Sequence, residues 1–341
     1  MGSFNPDPPK PWVETPLIFS PPLSRKVGCN IYLKLENTQP SGSFKSRGIG
    51  LMMLNALSAA SSSSSSPSAE VHFYCSSGGN AGLACATTAA ALRRPATIVV
   101  PTSTSAFMIA KLRELGARVV QTGASWAEAD AHLRDALLAP PSPADVLAGR
   151  VAAADGEDGQ GAAGVVDAVV CNVGGGGLLN GVMEGLERNA KILGGGVGGR
   201  TKVLAVETVG ADSLNASVRA GELVTLPGIT SIATSLGARR VSEKTWEWAQ
   251  RAGPENLISA TVTDKEAATA CVRFLDDARI LIEVACGATI ATAYNGDLRR
   301  YLGKGLTDEE WARRNVVLVV CGGSNTSLEI LEKYKKTYGI E

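Results

Sequence analysis

The sequence PSGSFKSRG, at residues 40–48, is the stretch from which the rest of the chain can be interpreted. It follows the β-prone run CNIYLKLE at residues 29–36 and leads into the apolar run IGLMMLNAL, which predicts a buried helix beginning near Ile49. A turn of small residues with one lysine, Lys45, between a strand and a helix is where α/β proteins bind ligands. Taken alone, such a lysine is more often a solvated surface residue, so its meaning depends on the other loops of the chain.

The composition indicates a globular protein of two domains, because 341 residues exceed what one hydrophobic core usually supports. Lys+Arg and Asp+Glu balance at 33 each, so the charge gives no argument for nucleic acid or a membrane surface as partner. Only two histidines are present, which argues against a His-ligated transition metal or a Ser-His-Asp triad. Seven scattered cysteines without a C-x-x-C pair favour reduced thiols and therefore a cytoplasmic location.

Strands and helices alternate along most of the chain. The further strands are predicted at residues 71–75, 96–100, 118–121, 165–170, 203–207 and 316–320, and the further helices at 81–92, 106–115, 126–138, 178–189, 213–220, 243–251, 264–275 and after 325. This alternation predicts an α/β protein made of two doubly wound units with mostly parallel sheets. Three stretches break the pattern: residues 1–28 are predicted to be an extended arm, 58–67 a solvated low-complexity loop, and 140–164 a segment without a strand or an amphipathic helix.

Four consecutive glycines, Gly174 to Gly177, follow a predicted strand and open a predicted helix. Backbone N–H groups of such a loop can close around an anion, and the helix dipole adds to the attraction. The loop lacks the Gly-Lys-Ser/Thr ending of a Walker loop and the G-x-G-x-x-G spacing of a dinucleotide site. Since a simple tight turn needs one or two glycines, four favour a phosphate-binding cup.

Two other loops end predicted strands. SSGGN at residues 76–80 offers hydroxyls, bare amides and one carboxamide, a set suited to a carboxylate or phenolate, although alone it could be an ordinary helix cap. CGGSN at residues 321–325 lies at the carboxyl end of the last strand, where ligands collect in open α/β sheets, although a cysteine after a strand is usually a core residue. A lysine amine, a phosphate cup, an anion-binding Asn loop and a neutral thiol together suit one ligand, pyridoxal 5′-phosphate (PLP), held as a Schiff base.

In these motifs the sequence resembles the fold-type II (tryptophan synthase β-like) PLP-dependent enzymes, and within them the L-serine/L-threonine dehydratases. SGSFKSRG, SSGGNAG, VGGGGLLNG and VCGGSN occur in the order and at the intervals of that family, and the resemblance covers nearly the whole chain. It implies two α/β domains with the cofactor in the cleft between them. Residues 1–38 and 151–341 would form a large PLP-binding domain, and residues 39–150 a small domain carrying the Schiff-base lysine and the Asn loop. It also implies a homodimer.

The resemblance assigns roles to individual residues. Lys45 would be the Schiff-base lysine, which also removes the α-proton of the substrate; Phe44 would line the cofactor site, and Asn80 would lie near the pyridine O3′. The implied phosphate cup consists of Gly174, Gly175, Gly176, Gly177 and Leu178. The implied substrate-carboxylate loop consists of Ser77, Gly78, Asn80 and Ala81. The stretch ETVGADS matches a monovalent-cation region of the family, which would place a cation such as K⁺ near Glu207, Ala211 and Ser213.

Cys321 would stand opposite the pyridine nitrogen. A thiol cannot hold a protonated pyridinium as a carboxylate would, which favours β-elimination over transamination or racemisation. The implied reaction converts a small amino acid, L-serine, to pyruvate and ammonia, and L-threonine to 2-oxobutanoate.

One segment departs from the family. Relatives carry a Pro-Pro-Phe-Asp-like segment whose aromatic side chain packs near the substrate, whereas residues 137–164 contain no Phe, Tyr or Trp. This composition predicts a mobile loop and a weakened dehydratase. Two alternatives therefore stay open: a catalytically impaired PLP-binding protein, favoured by this departure, and a racemisation or β-replacement enzyme on the same fold, which Cys321 argues against.

Overall fold

The structure is a computed structural model that describes residues 10–63, 71–138, 145–147, 166–192 and 201–341. Its strands are β1 (Leu17–Phe19), β2 (Asn30–Lys34), β3 (His72–Cys75), β4 (Ala96–Val100), β5 (Arg118–Gln121), β6 (Asp145–Leu147), β7 (Ala168–Asn172), β8 (Lys202–Thr208), β9 (Leu257–Val262) and β10 (Asn315–Val319). Its α-helices are α1 (Pro21–Val27), α2 (Lys45–Ser63), α3 (Asn80–Ala91), α4 (Ala106–Glu114), α5 (Trp126–His132), α6 (Gly177–Ile192), α7 (Ser213–Ala220), α8 (Glu243–Ala252), α9 (Asp264–Ala278), α10 (Val284–Ala291), α11 (Asp297–Leu302), α12 (Asp308–Ala312) and α13 (Leu328–Tyr338).

The chain divides into two units. The smaller comprises Met1–Val13 and Thr38–Ala154, and the larger comprises Glu14–Asn37 and Asp155–Glu341. Side-chain hydrogen bonds join the two segments of the smaller unit. The N–H of Val13 donates to Gln39 Oε1 at 3.0 Å, and Gln39 Nε2 donates to the Val13 carbonyl at 2.8 Å.

The smaller unit is a parallel four-stranded sheet in the order β5-β4-β3-β6, covered by helices on both faces. All five residues of β4 are buried, because successive side chains of a strand point to opposite faces and here both faces are covered. Ile98 and Val100 pack into the main core with Phe73 and Leu83, whereas Val99 packs into a second core with Ala129 and Leu133 on α5 and its π-helical continuation. The two cores define a doubly wound unit.

The larger unit is built on a six-stranded sheet in the order β1-β2-β10-β7-β8-β9. Every neighbouring pair is parallel except the edge pair β1–β2. The central strands β10, β7 and β8 are almost entirely buried, as expected for parallel strands with helices on both faces. The predicted α/β class with mostly parallel sheets is therefore confirmed.

Local predictions around the lysine turn need two corrections. Helix α2 begins at Lys45 rather than near Ile49, so Lys45 lies in the first turn of a helix instead of in a loop. At its other end the helix continues to Ser63, although a loop was predicted from residue 58. Alanine and serine extend an established helix at little cost, which explains the continuation. The remainder of the low-complexity run, residues 64–67, lies outside the described residues.

The predicted extended arm at residues 1–28 is also wrong in part, because it contains β1 and α1. Pro21 and Pro22 occupy the first turn of α1, where a missing N–H is harmless, and Gly28 ends the helix with a left-handed φ of 77°. Proline therefore starts a helix here instead of preventing one. Strand β9, helix α10 and the short helices α11 and α12 were not predicted either.

Within residues 140–164, where no strand was predicted, residues Asp145–Leu147 form β6 and pair in parallel with β3 at the edge of the sheet. The remaining residues of that segment lie outside the described residues, as does the glycine-rich stretch 194–199. None of the helices in the described part of the chain is both long and apolar enough to cross a membrane.

Candidate active site

Hydrogen bonds between two serines close the turn that precedes helix α2. The backbone N–H of Ser41 donates to Ser46 Oγ at 3.2 Å, and the two hydroxyl oxygens lie 2.7 Å apart. Gly42 supplies the left-handed φ of 76° that the turn requires. The Nζ atom of Lys45 lies 4.4 Å from the centroid of the Phe44 ring. The turn therefore fixes the start of α2 and places an aromatic ring beside the lysine amine.

The Asn loop joins β3 to α3, and Asn80 and Ala81 are the first two residues of that helix. Asn80 is 6% exposed. The hydroxyl of Ser77 accepts a hydrogen bond from Gly79 N–H at 3.3 Å. A Cβ on Gly82, the third residue of the helix, would overlap the Ser77 carbonyl oxygen, so the loop can lie against the helix only because residue 82 is glycine.

Neighbouring elements hold this loop in place. Ser76 Oγ donates to Asp130 on α5 at 2.6 Å, and a Cβ on Gly78 would lie 2.7 Å from the Thr104 methyl group. The residue before α3 is Gly79, which has no side chain to cap the first N–H groups of the helix. Uncapped N–H groups at a helix start are suited to an anionic group such as a carboxylate.

The glycine loop follows β7, and its last residue, Gly177, begins α6, with Leu178 as the second helical residue. Gly176 has a left-handed φ of 97°, and a Cβ there would overlap the hydroxyl of Thr245. A Cβ on Gly174 would lie 3.2 Å from the backbone of Leu236. Glycine is therefore required by both backbone conformation and space, which distinguishes this loop from a flexible linker.

Three polar side chains that were assigned no role from the sequence lie next to the glycine loop, although one of them, Asn180, stands within the VGGGGLLNG motif. Thr245 Oγ1 donates to Asn180 Oδ1 at 2.9 Å, Asn180 Nδ2 donates to Ser242 Oγ at 3.2 Å, and the Ser242 and Thr245 hydroxyl oxygens lie 2.8 Å apart. Asn180 is 4% exposed and Thr245 is fully buried. The signal available in the sequence was Asn180 itself, a carboxamide within the apolar first turns of a predicted helix.

Cys321 follows β10 and is buried. Its sulfur accepts a hydrogen bond at 3.1 Å from Nδ2 of Asn172, the last residue of β7, and the same Nδ2 donates to the carbonyl of Ala285 at 2.6 Å. A hydrogen bond with the Cys286 thiol, complete burial and the nearby Glu283 carboxylate raise the pKa of Cys321 well above its ordinary value. These effects outweigh the hydrogen bond from Asn172, which alone would lower the pKa, and they favour the neutral thiol.

Glu207, on β8, is fully buried. Its carboxyl oxygens accept hydrogen bonds from Leu214 N–H at 2.9 Å and Asn215 N–H at 2.7 Å, in the first turn of α7. Burial raises the pKa of Glu207 to about 8, against the opposing effect of these two hydrogen bonds. The hydroxyl of Ser213 at the start of α7 is buried and has no hydrogen-bond partner among the described residues, and Ala211 is 1% exposed. Among the residues that the structure describes, no three or more His, Cys, Asp or Glu side chains are grouped so that they could hold a metal ion.

The larger unit brings several predicted site residues together. Strands β10, β7 and β8 are adjacent and parallel, so Cys321, the glycine loop and Glu207 lie toward the same carboxyl edge of one sheet. In the smaller unit, α2, which begins at Lys45, packs against α3, which begins at Asn80. The aromatic-free segment 137–164 lies outside the described residues, apart from residues 137–138 and β6.

These residues fit pyridoxal 5′-phosphate. The glycine loop opens a 16-residue helix and contains a residue with a left-handed φ, Gly176, and a helix start preceded by such a loop suits a phosphate group. The lysine amine beside the Phe44 ring suits covalent attachment next to a planar group. The neutral Cys321 thiol suits an uncharged ring nitrogen.

Comparisons with known proteins agree with this fit. The family described as pyridoxal-phosphate dependent enzyme matches residues 10–322. The chain is 41% identical to a serine dehydratase-like protein of Rattus norvegicus over 329 residues, covering 94% of this chain and 93% of the relative. It is 38% identical to an L-serine dehydratase/L-threonine deaminase of Bos taurus over 337 residues, covering 96% of both. Among solved structures, a fungal L-serine ammonia-lyase from Rhizomucor miehei superposes with a TM-score of 0.79 at 32% identity, covering 96% of this chain and 99% of that one.

Proposed function

Because the chain belongs to the family of pyridoxal-phosphate dependent enzymes, we propose that it is an L-serine ammonia-lyase that converts L-serine to pyruvate and ammonia, and L-threonine to 2-oxobutanoate. The observation that carries this proposal is the neutral, buried Cys321 thiol at the carboxyl edge of the sheet that bears the glycine loop. The near full-length similarity to proteins named serine dehydratase supports the same reaction.

Residues of the lysine turn, the Asn loop, the glycine loop and the end of β10 would hold the cofactor. The Lys45 amine would attach it covalently, and the N–H groups of the glycine loop and of Leu178 would bind its phosphate. Phe44 would lie along the cofactor, Asn80 would meet the ring hydroxyl, and Cys321 would meet the ring nitrogen. When bound, PLP withdraws electrons from the α-carbon of an amino acid and so makes its α-proton acidic.

The chain's own groups would then carry out two tasks. Ser77, Gly78, Asn80 and Ala81 would bind the substrate carboxylate, since this loop presents a hydroxyl and the uncapped first turn of α3. The Lys45 amine would take the α-proton, which requires it to be neutral and within hydrogen-bond reach. The β-hydroxyl would then leave as water with the proton taken from the α-carbon, and hydrolysis of the released enamine would give pyruvate and ammonia. Because Cys321 is a neutral thiol rather than a carboxylate, it does not stabilise a protonated ring nitrogen, which favours elimination over racemisation.

The decisive experiment compares the purified protein with Lys45→Ala. The wild-type protein should be yellow, borohydride reduction followed by peptide mapping should label Lys45, and L-serine should give pyruvate in a lactate dehydrogenase-coupled assay. A colourless wild-type protein that takes up no added PLP refutes the proposal. Lys45→Ala should show neither the label nor pyruvate release above the rate without enzyme.

A second candidate function is PLP binding without efficient turnover. The absence of Phe, Tyr and Trp from residues 137–164 favours it, because the substrate would lack an aromatic wall. A misplacement of about 1 Å costs on the order of a hundredfold in rate. The test is a chimera in which an aromatic-bearing segment of an active relative replaces residues 137–164. This candidate is supported if the wild-type protein is yellow but only the chimera releases pyruvate as fast as active relatives do. Equal rates for the wild-type chain and this chimera exclude it.

Three further features complete the proposal. The larger unit would be the PLP-binding domain, and the smaller unit would carry the lysine and the Asn loop. A monovalent cation such as K⁺ would bind near Glu207, Ala211 and Ser213, supported by the buried carboxyl group and the Ser213 hydroxyl, which has no partner among the described residues. The seven cysteines are free and buried, which suits a reducing, cytoplasmic location; subcellular fractionation tests it.

We also propose a homodimer. Strand β1 is the edge of the six-stranded sheet, and its three residues expose apolar side chains, with Leu17 51%, Ile18 41% and Phe19 47% exposed. An edge strand with an apolar surface is a template for pairing with another chain. Light scattering should give the mass of a dimer for the wild-type protein and of a monomer for Phe19→Lys. A monomeric wild-type protein contradicts this assignment.

A further inference from the structure

The hydrogen-bonded side chains of Asn180, Ser242 and Thr245, here called the α6–α8 network, join helix α6 to the start of α8. Ser242 is the N-cap of α8, and its hydroxyl accepts from Thr245 N–H at 3.3 Å. The buried Asn180 carboxamide uses its oxygen toward Thr245 and its nitrogen toward Ser242. Any side chain at one of these positions that cannot hydrogen-bond would leave a buried polar partner unsatisfied.

The same residues fix the backbone of the glycine loop. The N–H of Ser242 donates to the carbonyl of Gly175 at 3.0 Å, and the N–H of Asn180 donates to the carbonyl of Gly176 at 2.8 Å. In a planar trans peptide, the C=O and the following N–H point in opposite directions. Anchoring these two carbonyls on α8 and α6 therefore turns the N–H groups of Gly176 and Gly177 the other way.

The hydroxyl of Thr245 occupies the space that a side chain at residue 176 would need. Residue 176 therefore has contacts on two sides. Its carbonyl accepts a hydrogen bond from the backbone N–H of Asn180, and its α-carbon packs against the Thr245 side chain. A glycine loop left to itself samples many conformations, including ones in which a carbonyl oxygen faces the anion. The contacts with Asn180, Ser242 and Thr245 exclude these conformations.

We propose that the α6–α8 network positions the glycine loop for the phosphate group of the cofactor, so that Asn180, Ser242 and Thr245 act as positioning residues for that group alone. This inference rests on the proposed function, since it takes the glycine loop as the phosphate site. It predicts a selective effect: loosening the network weakens binding of the phosphorylated cofactor but not of pyridoxal, which has the same ring and aldehyde without the phosphate.

The test uses the full-length chain freed of cofactor by dialysis against cysteine and then titrated with PLP and, separately, with pyridoxal. The principal variant is Thr245→Val, which keeps the branched shape but removes the hydroxyl. PLP should bind about tenfold more weakly, a change equal to about 1.4 kcal/mol and to the size of one buried hydrogen bond. Pyridoxal affinity should stay within about twofold of the wild-type value.

Two further variants control for the substitution. Thr245→Ser keeps the hydroxyl and should restore PLP affinity to near the wild-type value. Thr292→Val removes the hydroxyl of another fully buried threonine of the larger unit, one that donates to the Thr289 carbonyl at 2.7 Å, and should leave both affinities unchanged. If Thr245→Val does not fold, Ser242→Ala provides the same test, because it removes the hydroxyl shared by Asn180 and Thr245 but retains the N–H bound to Gly175.

A loss of affinity confined to PLP supports the inference. Equal losses for PLP and pyridoxal overturn it, because they reveal a general effect on the fold, and unchanged PLP binding overturns it as well. Failure of the proposed function and failure of the inference give different results. If the wild-type chain binds neither ligand, both are refuted. If the wild-type chain binds PLP and Thr245→Val binds PLP with the same affinity, only the inference is refuted.

Discussion

Replacing Gly176 with alanine tests whether the glycine loop has the rigid shape described above. The left-handed φ of 97° costs a residue with a Cβ about 1–3 kcal/mol. The added methyl would also lie 2.7 Å from Thr245 Cβ and 2.9 Å from its Cγ2, so Thr245 would have to move. Moving it breaks hydrogen bonds of 2.9 Å to Asn180 and 2.8 Å to Ser242, each worth about 1 kcal/mol net. The total cost is about 3–5 kcal/mol.

Two measurements detect this cost, because it can fall on cofactor binding or on stability. If the loop shifts away from Thr245, the cup is lost and PLP affinity falls by about a hundredfold or more. If the loop stays, the larger unit is strained and its melting temperature falls by about 6 °C or more. The matched control is Gly181→Ala on the same helix, where a Cβ meets no described atom within 4 Å. Gly181→Ala should stabilise the protein by about 0.5–1 kcal/mol, because alanine restricts the unfolded chain.

One outcome refutes the reasoning. If Gly176→Ala binds PLP with wild-type affinity and melts at the wild-type temperature, residue 176 needs neither the left-handed conformation nor the space taken by Thr245. A partial test is available in the double variant Gly176→Ala/Thr245→Ala. Replacing Thr245 with alanine should lower the free energy of unfolding less in the Gly176→Ala protein than in the wild type, because the two substitutions affect one shared contact.

Three further predictions concern single side chains. Cys321→Asp places a carboxylate where the thiol is proposed to meet the ring nitrogen. It should raise the rate of α-proton exchange in deuterated water relative to the rate of pyruvate formation. An unchanged ratio of these two rates means that residue 321 does not contact the ring. Because burial raises the pKa of Glu207 to about 8, the cation test belongs at a pH above that value, where the carboxyl group is ionised. There, potassium chloride should raise the melting temperature of the wild-type protein more than tetramethylammonium chloride does, and should not do so for Glu207→Gln, which cannot ionise. Equal responses contradict the cation site. Although burial alone would raise it, hydrogen bonds from Thr263 and Asn295 hold the pKa of Glu266 below its ordinary value. Its contribution to stability is therefore present at neutral pH and lost as the pH falls through that lowered pKa. Glu266→Ala should cost about 1 kcal/mol in urea unfolding at neutral pH and almost nothing in acid, and an equal cost at both contradicts this reasoning.

The fold was largely predictable because its signals are local and repeated. Apolar runs such as residues 316–320 and 96–100 correspond to buried parallel strands, and the loops after them carry the small polar residues that a sheet edge requires. Helix α10 was missed because it is apolar on all sides and lacks amphipathic periodicity. Strand β6 was missed because three residues in a Pro- and Ala-rich segment give no periodic signal and are stabilised by pairing with β3.

The candidate site was predictable only where residues are adjacent in sequence. The glycines at 174–177 and the thiol at 321 could be recognised from their motifs, and their roles stay predictions. By contrast, the bond from Asn172 to Cys321 joins residues 149 positions apart, and the bond from Thr245 to Asn180 joins residues 65 positions apart. Such contacts depend on strand order and helix packing, which a motif does not contain.

The burial of every cysteine gives the protein an intrinsic reporter of its own opening. All seven thiols are free and buried, two of them in the smaller unit (Cys75 and Cys85) and five in the larger. A thiol reagent in solution can therefore reach them only when the surrounding structure opens. The rate at which each cysteine is labelled measures how often its part of the chain unfolds, without any introduced probe. Because the two units contain different cysteines, mass spectrometry of partially labelled protein distinguishes the opening of one unit from that of the other.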